Sequence, residues 1–325
     1  MIDFMAMAFR NFHAFTRNPL ATSAGFPTSS VFGSAQFLLK ILNEEKPDYL
    51  FAACDSPDET FRHKMFNDYK ANRKEMPEDL AKQLPALFKL FGSMNIKIYK
   101  EPGFEADDII SSICHQWANH DLEVYIMSGD KDFMQLINDN VWLYAPKKAG
   151  RIEKIDHQGV VDYFGVRPDQ VIDAQSLIGD SVDNVPGVPG IGAKGAAKLI
   201  GEFGSLDGIY NNIDKIANKR QNASLKEYKA LAYLSKDLVT LKSDMELKLT
   251  LEDLRINSHE SAANQNLLSF FREMEFRALI NKTEKAIEKE TSATDQNDKT
   301  KGTIKETQKQ NVVDNSKTAF GKRDY

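Results

Sequence analysis

Four aspartates directly follow, or lie a few residues past, short apolar segments that have the character of β-strands. Asp3 follows the first two residues, Asp55 follows a segment ending in FAAC, and Asp130 and Asp132 come just after a segment ending in VYIM. The carboxyl ends of parallel strands lie at one edge of a sheet, where open α/β sheets build their sites. The sequence therefore predicts that these acids meet in space, although each one alone is more often a turn or helix-capping residue.

Two further segments bring acids to the same place. GFEADD at 103–108 opens a helix with three carboxylates in its first turn, and GDSVDN at 179–184 carries two aspartates three residues apart before a Gly/Pro turn. Helix capping and the helix dipole explain the first of these equally well when it is taken alone. The complete set of candidate metal ligands is Asp3, Asp55, Glu105, Asp107, Asp108, Asp130, Asp132, Asp180 and Asp183.

Carboxylates crowded together repel one another, and protonation or bound cations must relieve that repulsion. Carboxylate oxygens select hard ions such as Mg²⁺ or Mn²⁺, and so large a set suits more than one ion. Two ions about 4 Å apart can generate a hydroxide and stabilise both the attacking and the leaving oxygen of a displacement at phosphorus. The acids thus predict hydrolysis of phosphodiester bonds at a two-metal centre.

Strands that alternate with helices must position these acids. Strand-like segments cover 48–54 and 122–127. Helical patterns occupy 29–43, 78–94, 105–119 and 131–137. The alternation predicts an α/β fold with a mostly parallel central sheet flanked by helices on both faces.

Composition divides the chain into three parts. We expect an α/β nuclease core over 1–160 and a helical region over 161–281 that completes the metal site. Residues 282–325 are mostly Lys, Glu, Thr, Gln, Asn and Asp, and such a segment buries too little apolar surface to offset its ordering entropy. They are predicted to form a disordered polar tail.

Two segments have the character of nucleic-acid contacts. Gly190, Gly192 and Lys194 lie in a hairpin between helices, where glycines let backbone N–H groups approach a phosphate and the lysine adds charge; an ordinary helix–helix turn is the alternative. Residues 61–74, FRHKMFNDYKANRK, interleave bases with aromatic rings that can stack on unpaired bases, but a solvated helix face explains them equally well. Arg10 is ambiguous by itself.

The charge and the apolar pattern set the remaining limits. The formal net charge of −5 alone argues against a nucleic-acid partner. However, nine acids of residues 1–280 belong to the candidate metal set, and without them that part of the chain is slightly positive; residues 281–325 are net positive as well. A mean hydropathy of −0.45 and no apolar run of about 20 residues predict a soluble protein, and the lack of a secretory signal predicts the cytoplasm. Cys54 and Cys114 are expected to be buried, reduced thiols.

GFEADD at 103–108, GDKD at 129–132 and GDSVDNVPG at 179–187, in this order, resemble the 5′ nuclease domain of bacterial DNA polymerase I and, more distantly, phage 5′ nucleases and flap endonucleases. The resemblance covers about residues 1–280. It implies a PIN-like fold with a helix-hairpin-helix DNA-binding motif, and 5′-to-3′ exonuclease and flap endonuclease activity with two Mg²⁺ or Mn²⁺ ions. It places Asp3, Asp55, Glu105, Asp107, Asp108 and Asp130 around one ion, and Asp132, Asp180 and Asp183 around the second.

The resemblance also implies roles for individual residues. Asp108 and Asp130 are expected to be essential for cleavage but not for folding, and Arg10 and Lys70 to contact the scissile phosphate. The DNA contacts that it implies are Phe61, Arg62, Tyr69, Lys70 and Arg73 in a helical arch near 61–80, and Gly190, Gly192 and Lys194 in the hairpin. K⁺ is often bound at such a hairpin. The implied substrates are DNA with 5′ flaps, nicks or ends and RNA primers on DNA, processed by a monomer in primer removal and DNA repair.

Two departures from the family pattern affect these expectations. Relatives have a full apolar strand before the first aspartate, whereas only two residues precede Asp3, so we expect either a true start upstream or a sheet without its innermost strand that fixes Asp3 poorly. No polymerase-like domain follows, which predicts a stand-alone nuclease. The alternatives are a DNA-binding scaffold with impaired catalysis and an RNA-directed nuclease of the same metal-carboxylate type, a class that usually lacks the hairpin.

Overall fold

A six-stranded sheet forms the centre of the chain, which the computed structural model describes over residues 1–118, 121–147 and 151–288. The strands are β1 Ile2–Asp3, β2 Phe51–Ala53, β3 Lys97–Tyr99, β4 Val124–Met127, β5 Val141–Pro146 and β6 Ile152–Ile155. Their spatial order is β3-β2-β1-β4-β5-β6, and every pair is parallel except β5 with β6. The predicted mostly parallel sheet is therefore present, with one antiparallel strand at its edge.

The innermost strand, β1, is only two residues long but is paired on both sides. Ile2 lies opposite Ala52 of β2 and Met127 of β4. The amino terminus of Met1 donates to the Tyr125 carbonyl at 2.7 Å, which extends the pairing by one residue. The expected loss of the innermost strand does not occur, because these bonds hold β1 between β2 and β4.

Helices cover both faces of the sheet. On one face α1 Phe4–Ala14, α2 Ser29–Glu44 and α4 Glu78–Ser93 enclose Ile2 and Ala52. On the other face α5 Ala106–Trp117 packs with Phe51 and Ile126. Successive residues of β2 thus belong to different cores, as the two-residue period of a strand requires.

The second half of the chain is helical, as predicted. Its helices are α6 His157–Phe164, α7 Val171–Ile178, α8 Ala193–Phe203, α9 Leu206–Asn211, α10 Lys219–Glu227, α11 Lys229–Val239, α12 Ser258–Ala262, α13 Gln265–Glu273 and α14 over 277–288. The apolar core of α7 and α8 is continuous with that of β4 and β5. Helices α12 and α13 return to pack on α2 and α4, so the helical region wraps back over the sheet.

Local patterns located most elements of the core but missed three strands. Helices α2, α4 and α5 match the predicted ranges closely, and the predicted helix at 131–137 is a 3₁₀ helix over Lys131–Leu136. Strands β3, β5 and β6 were not predicted. The alternating burial of Val141–Pro146 shows that VWLYAP carried a half-buried strand pattern.

The predicted arch near 61–80 is not a continuous helix. Helix α3 covers only Phe61–Met65, turns and extended backbone follow, and α4 begins at Glu78. Lys70 adopts a left-handed backbone with φ of 57°, and its N–H donates to the Asp183 carbonyl at 2.9 Å. The segment is therefore tied to the loop at 180–184 instead of to its own helical turns.

The predicted start of the tail at residue 282 is wrong, because residues 282–288 are helical. Residues 282–288 continue α14, where Thr283 is buried and Glu284 pairs with Arg272 at 2.7 Å. Burial of Thr283 and this ion pair explain why the composition alone placed the boundary too early. The remainder of the predicted tail, 289–325, lies outside the described residues, within which no helix is long and apolar enough to cross a bilayer.

Candidate active site

Four carboxylates collect at the carboxyl edge of the parallel strands and form what we call the unpaired group: Asp3, Asp55, Asp107 and Asp130. Asp3 caps α1 by accepting from Ala6 N at 3.0 Å, and its other oxygen accepts from Ser128 Oγ at 3.1 Å. Asp55 accepts from the backbone N–H of Ala106 at 2.9 Å, which ties the end of β2 to the first turn of α5.

Burial and repulsion between carboxylates raise the pKa of two members of the unpaired group. Burial raises the pKa of Asp3 to about 7, with further increases from Asp55 and Asp130. Burial and then the carboxylates of Asp130 and Asp3 raise the pKa of Asp107 well above its ordinary value. Among the described residues, no Lys or Arg forms an ion pair with any of the four. Their repulsion can be relieved only by protons or by a bound cation.

Four other candidate acids form the paired group, since each is bonded to a basic side chain: Glu105, Asp108, Asp180 and Asp183. Asp108 is fully buried, and Arg62 donates to its two oxygens at 2.8 Å each. The backbone N–H groups of Lys242 and Glu105 also donate to it, at 2.9 and 3.2 Å. Both oxygens of Asp108 therefore accept hydrogen bonds from the protein. The sequence had instead predicted that Asp108 is a metal ligand that the fold does not need.

Arg62, expected in the arch as a DNA contact, is 1% exposed. Besides Asp108 it donates to the carbonyls of Leu238 and Thr240 at 2.8 Å, at the carboxyl end of α11. A cation is favourable there because helix carbonyls point outward at that end. Tyr69 is also buried, with its hydroxyl 3.2 Å from Glu105. Neither side chain presents a surface to DNA in this conformation.

Lys70 and Arg73 hold the same segment against the acidic edge. Lys70 Nζ donates to Glu105 Oε1 at 2.7 Å and lies 3.9 Å from Asp183. Burial opposes the charge on Lys70, but Glu105 and Asp183 raise its pKa above the ordinary value. Arg73 donates to Asp183 Oδ1 through two nitrogens, at 2.6 and 3.0 Å. Each of these two cations is thus paired with a carboxylate of the acidic edge.

The segment 130–132 meets the loop after α7. Lys131 is bonded to Asp180 and lies 3.5 Å from Asp132. Burial works against ionisation of Asp180, but Lys131 and backbone donors keep its pKa below the ordinary value. Burial and the Asp130 carboxylate raise the pKa of Asp132 to about 6, while Gln175 donates to Asp132 Oδ1 at 2.6 Å. Asp132 thus belongs fully to neither group.

Two glycines shape the loop that carries Asp180 and Asp183. Gly179 and Gly187 have φ of 73° and 63°, and a Cβ on Gly179 would lie 2.5 Å from the Val185 carbonyl. Asp180 and Val185 exchange two backbone hydrogen bonds, at 2.9 and 2.7 Å. Because only glycine permits this close backbone approach, the loop is a fixed platform for its two aspartates.

The hairpin residues Gly190, Gly192 and Lys194 are exposed, and Gly192 is the N-cap of α8. No side chain caps this end of the helix, and a Cβ at Gly190 or Gly192 would meet nothing within 4 Å. The first N–H groups of α8 are therefore open to an incoming anion.

Arg10 and Phe61 lie at the sides of the acidic edge. Arg10, on α1, donates to the Lys147 carbonyl at 3.1 Å and lines a small cleft with Gly129. Phe61 is partly exposed, with the Arg62 guanidinium 4.5 Å from its ring centroid.

The carboxylate oxygens are not preassembled as a metal cage. Among the described residues, no three His, Cys, Asp or Glu side chains converge closely enough to hold an ion as they stand. Repulsion between ionised carboxylates opposes closer approach until a cation neutralises them. The donor chemistry of the unpaired group still fits a divalent ion, because its four members are hard oxygen ligands that share an uncompensated charge.

Sequence reasoning missed the partners that hold these acids. Ser128, Gln175 and Arg62 fix Asp3, Asp132 and Asp108, respectively. The position of Ser128, two residues before Asp130, was the only available clue for any of them. The other two contacts join residues at least 43 positions apart, which no local pattern reveals.

Two family models match consecutive parts of the chain. "5'-3' exonuclease, N-terminal resolvase-like domain" matches residues 1–165, and "5'-3' exonuclease, C-terminal SAM fold" matches 166–262. A resolvase-like α/β domain with an acidic edge, joined to a helical SAM-type domain, defines a nuclease. The chain belongs to the 5′-3′ exonuclease family. The predicted fold class and the predicted family resemblance are confirmed.

Curated relatives and solved structures agree with this family. The chain is 34% identical to DNA polymerase I of Bacillus caldotenax over 285 residues, covering 87% of this chain and 32% of the relative. It is 38% identical to DNA polymerase I of Chloroflexus aurantiacus over 281 residues, covering 85% of this chain and 29% of the relative. The chain thus spans about a third of the length of these relatives.

Two solved structures share the fold. The T5 D15 protein co-crystallized with metal ions matches with a TM-score of 0.59 at 21% identity, covering 84% of this chain and 96% of that one. The catalytic core of Rad2 in complex with a DNA substrate matches with a TM-score of 0.50 at 16% identity, covering 84% and 86%.

Proposed function

We propose that this chain hydrolyses DNA phosphodiester bonds as a 5′-to-3′ exonuclease and structure-specific flap endonuclease that uses two divalent ions, Mg²⁺ or alternatively Mn²⁺. The unpaired group carries the proposal, because four carboxylates without basic partners lie at the carboxyl edge of the sheet in a chain of this family. A two-ion centre would supply an attacking hydroxide and stabilise the departing oxygen.

The pairing of the acids with basic side chains suggests which of them would hold each ion. The unpaired group would hold one ion, and Asp132, Asp180 and Asp183 would surround the second once Lys131 and Arg73 shift. Glu105 remains a candidate ligand that Lys70 engages in this conformation. We assign Asp108 a positioning role instead, because Arg62 and two backbone N–H groups occupy both its oxygens.

The cations around the acidic edge support binding of a nucleic acid. Lys70 and Arg10 would contact the phosphate that is cleaved, with Arg73 and Phe61 along the path of the 5′ strand. The open end of α8, with Gly190, Gly192 and Lys194, would hold duplex phosphates, with K⁺ bound at this hairpin. DNA with 5′ flaps, nicks or ends, and RNA primers on DNA, would be processed by a monomer in the cytoplasm, in primer removal and repair.

The direct test uses a 5′-labelled flap on a nicked duplex, incubated with the protein in Mg²⁺ or in EDTA. Release of a short labelled product only in Mg²⁺ is expected. Asp130→Ala should abolish the release, whereas Asp139→Ala, which removes an exposed acid nine residues further on, should not. Equal cleavage by Asp130→Ala and the unmodified protein would exclude the proposed metal site.

The same assay separates the other two candidate functions. Tight binding of the flap without cleavage would favour a DNA-binding scaffold. The reason to expect one was a poorly fixed Asp3, but Asp3 is buried and accepts two hydrogen bonds. Preferential cleavage of single-stranded RNA over flapped DNA would favour an RNA-directed nuclease.

A further inference from the structure

Gln175 is a buried amide beside one of the proposed second-ion ligands. It lies on α7, is 1% exposed, and donates through Nε2 to Asp132 Oδ1 at 2.6 Å. Its Oε1 has no hydrogen-bond partner in the described part of the chain. Leaving a buried amide oxygen unsatisfied is unfavourable, so the residue is not explained by packing alone.

The orientation of the amide is determined by its donor. An ionised Asp132 offers only acceptors, so the NH₂ end of Gln175 must face it and the carbonyl end must face away. The two oxygens of Asp132 then differ. Oδ1 is held by Gln175, with Lys131 at 3.5 Å, while Oδ2 has no hydrogen-bond or ion-pair partner among the described residues.

The position of Gln175 in the fold links both halves of the proposed second site. Helix α7 ends three residues after it, at Ile178, and the N–H of the next residue, Gly179, donates to the Gln175 carbonyl at 2.7 Å. The loop with Asp180 and Asp183 begins there. Helix α7 therefore holds Asp132 through the Gln175 side chain, and its carboxyl end determines where the loop with Asp180 and Asp183 begins. The helix thus determines the positions of these three aspartates relative to one another.

We propose that Gln175 is a positioning residue of the second metal site: by holding Asp132 Oδ1 it leaves Oδ2 to bind the ion. The inference rests on the proposed two-ion function. Partners of metal ligands outside the coordination sphere typically change metal affinity by about 10–100-fold when they are removed.

Gln175→Met tests this because it keeps the length and burial of the side chain but removes the donor. Binding of Mn²⁺ is followed by electron paramagnetic resonance of the free ion, which gives the number of ions and their affinities. We expect the weaker ion to bind about 10-fold or more weakly and the tighter ion to be unaffected. The Mg²⁺ concentration for half-maximal cleavage should rise, with little change in the rate at saturating Mg²⁺.

Gln135→Met is the matched control. Gln135 is a neighbouring glutamine that donates to the backbone carbonyls of Asp132 and Val239 but not to a carboxylate. It should lower thermal stability while both Mn²⁺ affinities stay within about twofold of the unmodified protein. Equal losses of Mn²⁺ affinity in both variants, or unchanged affinity in Gln175→Met, would overturn the proposal.

A double-mutant cycle of unfolding free energies, measured in EDTA, separates this inference from the proposed function. If Gln175 holds the Asp132 carboxylate, Gln175→Met should destabilise the protein less in an Asp132→Ala background than alone. Additive effects would overturn the contact itself, whatever the metal does. An unmodified protein that binds no Mn²⁺, with the coupling still present, would instead refute the metal centre, and with it the role of Gln175 there, but leave the hydrogen bond intact.

Discussion

Asp107 and Asp108 are neighbours in the first turn of α5, yet they belong to opposite groups. Burial and then the carboxylates of Asp130 and Asp3 raise the pKa of Asp107, which forms no ion pair with a basic side chain in the described chain. Asp108 is fully buried with both oxygens on Arg62. The protein thus neutralises Asp108 with its own cation but gives Asp107 no such partner, which is why we place Asp107 and not Asp108 among the proposed metal ligands.

The contrast also separates two energetic roles. A buried carboxylate with bidentate and backbone donors stabilises the fold only while all its partners remain, and loss of one leaves a buried charge. A cluster of repelling carboxylates costs stability in the absence of a cation. We therefore expect substitutions of Asp107 and Asp108 to affect folding and cleavage in opposite ways.

The largest effect should come from Asp107→Asn. Removing a ligand of the unpaired group should reduce flap cleavage in Mg²⁺ by at least about a thousandfold, because metal stabilisation of the transition state is worth several kcal/mol and each 1.4 kcal/mol is about tenfold in rate. Its melting temperature in EDTA should stay equal or rise.

Asp108→Asn is the matched neighbour. It should lower the melting temperature and retain measurable cleavage well below that temperature. If Asp108→Asn instead folds normally and cleaves nothing, the division between the two groups fails and Asp108 returns to the ligand set.

Arg62→Met should have the next largest effect, on folding. It leaves Asp108 buried without its partner, so the free energy of unfolding should fall by about 3–5 kcal/mol in urea denaturation. Arg73→Met should cost less than about 1 kcal/mol, because Arg73 is 47% exposed and its pair is screened by water. The double variant Arg62→Met/Asp108→Leu should recover much of the loss, and no recovery would show that Arg62 acts mainly through the α11 carbonyls.

The stability of the metal-free protein should depend on pH because of the raised pKa of Asp3 in the unpaired group. Asp3 ionises near 3.8 when unfolded but keeps its proton to about 7 when folded. The folded state binds more protons between these values, so stability falls as pH rises through that window. In EDTA, Asp3→Asn should match the unmodified protein at pH 4 and melt at a higher temperature at pH 8. Parallel melting curves across this range would contradict the raised pKa.

The smallest effect is expected away from both groups, at Lys194. Lys194→Ala should weaken binding of duplex DNA a few-fold without changing cleavage chemistry, because it removes one phosphate contact. The slope of log affinity against log salt concentration should decrease by about one. Lys215→Ala removes an exposed lysine outside the hairpin and should leave the slope unchanged; equal changes in both variants would show a diffuse electrostatic effect.

The sequence alone determined which acids reach the site and why. Asp3, Asp55 and Asp130 follow strands of a parallel sheet, and the edge rule for such sheets brings them together without knowledge of any contact. The helices α2, α4 and α5 follow from apolar periodicity, and the metal-dependent chemistry from the ligand preference of hard ions.

Only the tertiary structure decided which acids the protein itself neutralises. Arg62 reaches Asp108 across 46 positions and the carbonyl of Leu238 across 176, and Arg73 meets Asp183 across 110. In the sequence, a basic residue looks the same whether its side chain faces DNA or is buried against a carboxylate. Its role depends on how the segment 61–73 packs against α5, the end of α11 and the loop at 180–184, and local patterns do not contain these long-range contacts.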